Sequence, residues 1–228
     1  LPPSPTWPEP QVRSTASAPS GVIALGWCHR AKEPAHEPRP ARRAVDPDGH
    51  LAAAMRAQCD WTGRHVLDLG CGTGFHLPIF ARSAGAVTGV EPHPDLVSIA
   101  RRRTHRVANV QVLQGTAQAI PLPDRCVDLV HVRWAYFFGP GCEPGLAELD
   151  RVVRRGGTAF VIDNDPSRST FGRWFRRGYP HLPPPDVVER FWSMRGWTRT
   201  PIDMRWVFEE RADFEAVVRI EFPPEAAQ

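Results

Sequence analysis

The chain has 228 residues, five cysteines and a formal net charge of +3. This length suits one domain with a substantial buried core, and the charge is too small to indicate nucleic-acid binding by itself. The cysteines are scattered and form no CxxC pair, so we expect free thiols, a cytoplasmic location and neither a disulfide framework nor a metal site. No apolar run is long enough to span a membrane, so we expect no membrane partner.

The first part of the chain differs from the rest. Prolines recur through residues 1–42 and interrupt any helical or strand pattern, which predicts a disordered leader. We therefore expect one domain over residues 43–228. Its first element is a short helix at residues 50–59.

Strands and helices then alternate along the chain. The helices are predicted at residues 75–83, 95–103 and 143–155. The strands are predicted at residues 65–69, 86–91, 110–113, 127–132 and 158–163. Near-continuous apolar strands that alternate with helices predict an α/β fold, namely a Rossmann-like, doubly wound, mainly parallel sheet with helices on both faces. Ligands bind such sheets at the carboxyl ends of the strands.

A glycine-rich turn follows the first of these strands, in the sequence VLDLGCGTG of residues 66–74. Glycines let the backbone turn tightly and let a ligand approach closely. The dinucleotide fingerprint would require glycine at position 75, where this chain has Phe75, and no Gly-Lys-Ser/Thr follows for a phosphate-binding loop. The spacing favours a nucleotide ligand without a pyrophosphate.

This turn resembles motif I of the class I S-adenosylmethionine (SAM)-dependent methyltransferases, and four further elements follow in the family's order. They are Glu91 at the end of the second strand, the turn at residues 114–118, the Val-Asp-Leu-Val strand at 127–130 and the Arg-Val-Val-Arg-Arg-Gly-Gly element at 151–157. The match covers residues 65–163 and is closest to the small-molecule methyltransferases of ubiquinone and menaquinone biosynthesis.

The resemblance implies SAM as the cofactor and S-adenosylhomocysteine as the product. It implies that Asp68 contacts the amino end of the cofactor, that Glu91 accepts hydrogen bonds from both ribose hydroxyls, and that Thr116 and Ala117 flank the adenine. Asp68 could instead only stabilise the turn, and Glu91 could be a solvated acid. The full set of expected cofactor-binding residues is Asp68, Gly70, Cys71, Gly72, Gly74, Glu91, Pro92, Thr116, Ala117, Gln118 and Arg133.

The acceptor side is expected where the fourth and fifth strands end. His131 and Arg133 share one face of their strand, because side chains alternate between the two faces. His131 is a candidate general base or a packed histidine. Arg133 could bind an anionic substrate or the carboxylate of SAM. Asp163 is a second candidate catalytic residue. The expected substrate contacts are Trp134, Tyr136, Phe138 and Asp165.

Residues 166–228 match the family weakly and are rich in aromatic side chains. They are expected to form a helical cap over the acceptor pocket or to pack against the edge of the sheet. A sixth strand is predicted at residues 198–208. The family's usual seventh strand is not found, so the sheet is expected to be short or the chain truncated.

The sequence thus predicts SAM-dependent methylation of a small molecule by a monomer or homodimer. The Asn/Asp-Pro-Pro-aromatic motif of nucleic-acid amino-methyltransferases is absent, so no nucleic-acid partner is expected. One alternative is a non-catalytic SAM- or nucleoside-binding regulator or scaffold. A nicotinamide-dependent oxidoreductase is disfavoured by Phe75.

Overall fold

A computed structural model describes residues 20–24, 46–135, 141–163, 165, 170–180 and 183–222. The strands are β1 (Ser20–Ala24), β2 (His65–Leu69), β3 (Ala86–Glu91), β4 (Val110–Gln114), β5 (Val127–Arg133), β6 (Val153–Ile162) and β7 (Trp197–Arg199). The helices are α1 (His50–Gln58), α2 (Leu77–Ala81), α3 (Pro94–Thr104), α4 (Glu143–Val152), α5 (Thr170–Gly178), α6 (Pro185–Ser193) and α7 (Arg211–Glu221).

The strands form one parallel sheet in the order β4-β3-β2-β5-β6-β1-β7. Adjacent residues of a strand point to opposite faces, so Val66 and Leu67 of β2 enter two different apolar clusters. One cluster joins the sheet to α1, α2 and α3, and the other joins it to α4 and α6. The predicted doubly wound α/β fold is confirmed.

Part of the predicted leader belongs to this sheet. Residues Ser20–Ala24 form β1, which pairs in parallel with β6 on one side and β7 on the other. The prediction of a disordered leader over residues 1–42 is therefore wrong at these five residues. The apolar run Gly-Val-Ile-Ala pairs with two strands that are distant in sequence. The rest of that segment lies outside the described residues.

The carboxyl-terminal region is less strand-rich than predicted. The sixth strand, expected over residues 198–208, is the three-residue β7, and residues 200–208 run mostly without regular structure. Since β1 lies between β6 and β7, the sheet has seven strands and is not short. The expected missing strand is thus supplied by residues from near the start of the chain.

Two aromatic residues of the carboxyl-terminal region pack against the sheet. Phe191 and Trp192 of α6 are buried in the same cluster as Leu67, Val130 and Val161. Their rings meet edge to face at 5.2 Å between centroids. The sequence left two arrangements open, a cap over the acceptor pocket and packing against the edge of the sheet. Phe191 and Trp192 follow the second arrangement.

Candidate active site

The glycine turn after β2 has the conformation that its sequence requires. Gly70, Gly72 and Gly74 have φ angles of 73°, 54° and 72°, in the left-handed region that favours glycine. A Cβ atom on Gly70 would lie 2.7 Å from Cβ of Ala135, and one on Gly74 would lie 2.9 Å from Cβ of Ala100. Two of the three glycines are therefore needed for close packing of the turn against neighbouring elements.

Gly72 is different, because a Cβ atom there would meet no protein atom within 4 Å. Its left-handed φ and the open space beside it leave the backbone of the turn accessible to a ligand. Open space at this position is compatible with the predicted contact between the turn and the methionine part of SAM.

Glu91, at the end of β3, holds the turn in place. Its Oε2 accepts a hydrogen bond from the N–H of Gly72 at 2.9 Å, and its Oε1 accepts one from the N–H of His93 at 3.0 Å. The side chain is only 6% exposed. Each oxygen keeps a second lone pair, so the carboxylate can brace the turn and also accept hydroxyl donors from a bound ribose.

Asp68 and His131 form a buried pair beside the turn. The residues are register partners on adjacent strands, so their side chains lie on one face of the sheet. Nδ1 of His131 lies 2.8 Å from Oδ1 of Asp68, and the residues are 1% and 2% exposed. Oδ2 of Asp68 is buried and has no hydrogen-bond partner among the described residues. A buried carboxylate oxygen in this state fits an additional donor such as the ammonium group of SAM.

A second polar pair lies next to the first. Nη1 of Arg133 lies 3.1 Å from Nε2 of His76, and the ring centroids of His76 and His131 are 5.0 Å apart. Arginine has no acceptor, so Arg133 donates and Nε2 of His76 accepts. Burial is the main cause that lowers the pKa of His76 to about 3; the nearby His131 and Arg133 also lower this pKa, and Asp68 opposes them. His76 is therefore neutral at pH 7 and its Nδ1 carries the hydrogen.

The cluster also has the composition of a metal site. One ligand atom from each of Asp68, His76 and His131 lies within 4.8 Å of the others. However, Arg133 occupies the Nε2 lone pair of His76 and places a permanent positive charge next to the cluster. This arrangement opposes a divalent cation at the cluster.

Three of these polar residues, His76, His131 and Arg133, line a cavity of about 330 Å³ together with residues of α1 and α2. Its walls are mostly apolar, and the principal wall side chains are Leu51, Met55, Trp61, Phe75, Ile79 and Phe80. The volume is at the lower end of the range for small-molecule sites. A small and largely apolar molecule fits such a space.

Helix α1 covers the cavity and is held at its first turn. The carboxylate of Asp46 accepts hydrogen bonds from the N–H groups of His50 and Leu51 at 2.9 and 3.0 Å. Asp48 forms a two-fold ion pair with Arg205, at 2.7 and 2.9 Å. The segment after β7 therefore fixes the cover of the cavity.

The remaining expected cofactor residues lie around the turns at the same end of the sheet. Thr116 and Ala119 form an isolated bridge, so residues 116–119 make a tight turn after β4, in which Thr116 and Gln118 are exposed and Ala117 is half-buried. Pro92 is exposed beside Glu91. Cys71 is buried within the glycine turn, and burial raises the pKa of its thiol, so it stays protonated.

The expected acceptor residues are less well grouped. Trp134 has a left-handed φ of 55° and its ring lies 4.4 Å from the guanidinium carbon of Arg133, but it does not line the cavity. Asp165 is ion-paired with Arg199 of β7, and Asp163 follows β6 outside the cavity lining. Tyr136 and Phe138 lie outside the described residues.

Sequence reasoning missed the walls of the cavity and the part played by His76. The apolar pair Leu51 and Met55, four residues apart on a predicted helix, was the available signal for a covering helix. His76 follows the glycine turn by two residues, but no local pattern indicates that Arg133 lies against it. The contact depends on the ends of β2 and β5 meeting in space.

Known proteins resemble this chain in sequence and in fold. Residues 67–161 match the family model of the methyltransferase domain. This part of the chain is a class I SAM-dependent methyltransferase domain, with SAM as the cofactor of its class. Its relatives include demethylmenaquinone and ubiquinone/menaquinone methyltransferases, which confirms the predicted resemblance.

Two relatives illustrate the range of the family. The chain is 35% identical to a fatty-acid O-methyltransferase from Mycolicibacterium smegmatis, over 55% of this chain and 46% of the relative. It is 34% identical to a demethylmenaquinone methyltransferase from Thermus thermophilus, over 52% of this chain and 58% of the relative. The chain thus spans about half the length of the curated relatives it matches.

A solved SAM-dependent methyltransferase from Aquifex aeolicus has a similar fold, with a TM-score of 0.53 and 25% identity over 69% of this chain and 81% of that one. In the part of this chain that the structure describes, every helix is too short or too polar to cross a bilayer.

Proposed function

We propose that this chain transfers the methyl group of SAM to a small, partly apolar molecule bound in the cavity beneath α1, and releases S-adenosylhomocysteine. One observation carries the proposal: the glycine turn continues directly into the cavity wall. Phe75 and His76 line the cavity, and they follow Gly74 without a break. A cofactor held at the turn and an acceptor in the cavity would therefore be neighbours.

The cofactor, when bound, supplies an electrophilic methyl group on a sulfonium. Glu91 would accept hydrogen bonds from its ribose hydroxyls, and Oδ2 of Asp68 would accept one from its ammonium group. Gly70, Cys71, Gly72 and Gly74 would form the floor under its methionine part. The side chains near its adenine would be Pro92, Thr116, Ala117 and Gln118.

The chain's main catalytic contribution would be to position the acceptor. Holding two reacting groups in line and in contact is worth roughly 7–11 kcal/mol. His131 is the cavity residue that can take a proton from an acceptor that carries one, and its bond to Asp68 fixes the ring. Asp163 follows β6, the neighbouring strand, and is the second proposed polar contact. Trp134 and Asp165 are further proposed acceptor contacts, and so are Tyr136 and Phe138, which lie outside the described residues.

The relatives support a small acceptor. The two described above are named for a fatty acid and for demethylmenaquinone, both largely apolar. The mostly apolar cavity favours the same kind of molecule and not a nucleic acid. We propose a monomer or homodimer in the cytoplasm, a location that the free thiols of Cys59, Cys71, Cys126 and Cys142 favour.

The substitution Gly72→Val tests the cofactor site, with Gly156→Val as its matched control. Both glycines have a left-handed φ, of 54° and 74°, and in both cases an added Cβ meets no protein atom within 4 Å. Both variants should lose about 1–3 kcal/mol of unfolding free energy from backbone strain. Only Gly72→Val should lose S-adenosylhomocysteine binding in calorimetry; equal binding by the two variants would refute the site.

Turnover is tested separately with SAM that carries a radiolabelled methyl group. The purified chain should transfer label to a small organic-soluble compound in a cell extract. Binding of SAM without transfer to any compound would instead support the non-catalytic alternative.

A further inference from the structure

We propose that Glu148 and Arg151 of α4 are positioning residues for cofactor recognition: they hold the turn at residues 116–119 in the shape that receives the adenine of SAM. This inference rests on the proposed function, because that function places the adenine at this turn. It assigns a role to two side chains that lie outside the turn itself. Three features support it: the attachment of the turn at its beginning, its attachment at its end, and its uncharged composition.

The segment that leads into the turn is attached to the end of β3. The N–H of Gly115 donates a hydrogen bond to the carbonyl oxygen of Glu91 at 3.1 Å. Nε2 of Gln114 donates one to the carbonyl oxygen of Pro92 at 3.2 Å. A Cβ atom on Gly115 would lie 2.6 Å from Cδ of Pro121, so the chain closes tightly around the turn. The beginning of the turn is therefore fixed relative to the residue whose carboxylate would bind the ribose.

The end of the turn is attached to α4. Ile120 follows the turn directly, and its N–H donates to Oε2 of Glu148 at 2.8 Å. The carbonyl oxygen of Ile120 accepts a hydrogen bond from Nη2 of Arg151 at 2.9 Å. Nη1 of Arg151 also donates to the carbonyl oxygen of Leu122 at 2.7 Å. Both backbone groups of Ile120 are thus bound by α4, and its side chain is buried in the core.

Glu148 and Arg151 are also bound to each other, three residues apart on α4. Nε and Nη2 of Arg151 donate to Oε1 and Oε2 of Glu148 at 2.6 and 2.8 Å. The hydrogen bond from Arg151 is the main cause that lowers the pKa of Glu148 to about 2; burial opposes it, and the N–H of Ile120 adds to it. Glu148 is therefore a carboxylate at pH 7. An isolated surface ion pair contributes little, but this pair orients donors and an acceptor toward the backbone beside the turn.

The turn has only neutral groups with which to recognise the adenine. Thr116, Ala117 and Gln118 carry no charge, so the adenine would be bound by neutral hydrogen bonds and by contact with the methyl group of Ala117. Neutral hydrogen bonds are weaker than charged ones, and they weaken steeply when their geometry is poor. Affinity for the adenine would therefore depend on the position of the turn, which Glu148 and Arg151 fix from outside.

The test compares S-adenosylhomocysteine with S-ribosylhomocysteine, which has a hydroxyl group in place of the adenine, by calorimetry on the whole chain. The wild type should bind S-adenosylhomocysteine more tightly, and the ratio of the two affinities measures what the adenine contributes. Arg151→Gln should lower this ratio at least about fivefold, which corresponds to the loss of one ordinary hydrogen bond to the adenine. Its affinity for S-ribosylhomocysteine should stay close to that of the wild type. Arg151→Lys should restore part of the ratio, because lysine keeps the charge.

Arg154→Gln is the matched control. Arg151 and Arg154 each donate to an aspartate at 2.9 Å, Asp124 and Asp128 respectively. Arg154 also donates to a backbone carbonyl oxygen, that of Arg125 at 3.2 Å, but this residue lies beyond the turn. Both glutamine variants should lose stability in urea unfolding, and only Arg151→Gln should change the affinity ratio.

The other outcomes separate the inference from the proposed function. An unchanged ratio in Arg151→Gln would reduce Arg151 to a structural role and overturn the inference, whatever the loss of stability. An equal loss of affinity for both ligands would also overturn it, because the effect would not concern the adenine. Equal binding of the two ligands by the wild type would mean that the turn does not receive the adenine. If the wild type binds no S-adenosylhomocysteine, the proposed function itself fails.

Two further variants cover the case in which Arg151→Gln does not fold. Glu148→Gln keeps an oxygen for the N–H of Ile120 but removes the charge that orients Arg151, so it should lower the ratio to a smaller extent. Gly115→Ala disturbs the same turn from its other side, because the added Cβ would displace Pro121. A ratio that falls in Gly115→Ala but is unchanged in Glu148→Gln would show that the turn binds the adenine without support from α4, and would refute the inference.

Discussion

Replacing Glu91 with alanine should weaken both the fold and the binding of S-adenosylhomocysteine. In the free protein the carboxylate accepts the N–H groups of Gly72 and His93 at 2.9 and 3.0 Å. Removing it leaves two backbone donors without their acceptor in a region where the side chain is only 6% exposed. Each unsatisfied donor costs about 1–3 kcal/mol, less any compensation by water that enters the space.

The effect on binding adds to this loss of stability. Two ribose hydroxyls would lose a charged acceptor, at roughly 1.5–3 kcal/mol, which corresponds to a loss of affinity of about 10- to 150-fold. Looser positioning of Gly72 would increase the loss. A binding measurement on the variant alone therefore cannot separate the contact with the ribose from the support of the turn.

A 2′-deoxy analogue of S-adenosylhomocysteine separates the two effects. The wild type should lose affinity for the analogue, and Glu91→Ala should show little further loss, because the acceptor of that hydroxyl is already absent. Asp128→Ala is the control: Asp128 accepts the N–H of His65 at 2.8 Å at the opposite end of the sheet. It should lose stability in urea unfolding and keep its affinity. Equal losses from the deoxy change in wild type and Glu91→Ala would mean that Glu91 does not touch the ribose.

Two further predictions concern stability. Removing residues 1–24 should lower the melting temperature by at least about 5 °C in calorimetry, because β1 pairs with both β6 and β7. In a domain of this size, a loss of 1 kcal/mol of unfolding free energy lowers the melting temperature by about 2–4 °C. A chain that lacks only residues 1–19 keeps β1 and is the control; equal melting temperatures of the two truncated chains would refute the pairing. The lowered pKa of His76 means that the unfolded state binds a proton that the folded state does not, so stability should fall by up to about 1.4 kcal/mol per pH unit below pH 6.5 and level off near the folded pKa of about 3. Urea unfolding should be measured between pH 4.5 and 6.5, because Glu148, with its pKa of about 2, contributes most below this range. The unfolding free energy should depend less steeply on pH in His76→Gln than in the wild type. An unchanged slope would contradict the burial of a neutral histidine.

Most of the sheet was predictable because its signals are local. The buried strands β2, β3 and β5 are near-continuous apolar runs, and the helices between them repeat apolar residues at helical spacing. The glycine turn was predictable for a related reason, since the left-handed φ angles of Gly70 and Gly74 are conformations that glycine adopts readily. A short edge strand such as β7 lacks these signals, and its predicted extent was wrong.

The strand β1 could not be found by the same reasoning. Its five residues stand in a proline-rich segment, and their partners in β6 and β7 are more than a hundred residues away. Local composition predicts disorder for such a segment. In the fold, however, the backbone groups of β6 and β7 hydrogen-bond with β1 from its two sides. This segment is a strand because it pairs with two other strands, and that pairing is a property of the fold that local sequence does not show.

The chemistry of the site depends on a similar long-range relation, the register of β2 against β5. Asp68 and His131 face each other because Val66 pairs with Leu129 two residues earlier, and a shift of one residue would point them to opposite faces. In this register His131 occupies one oxygen of Asp68 and leaves the other for a ligand. The motif acid and the histidine of the next strand therefore form one hydrogen-bonded unit. A substitution of His131 should remove a partner of Asp68, so it should change the proposed cofactor contact as well as the proposed acceptor contact.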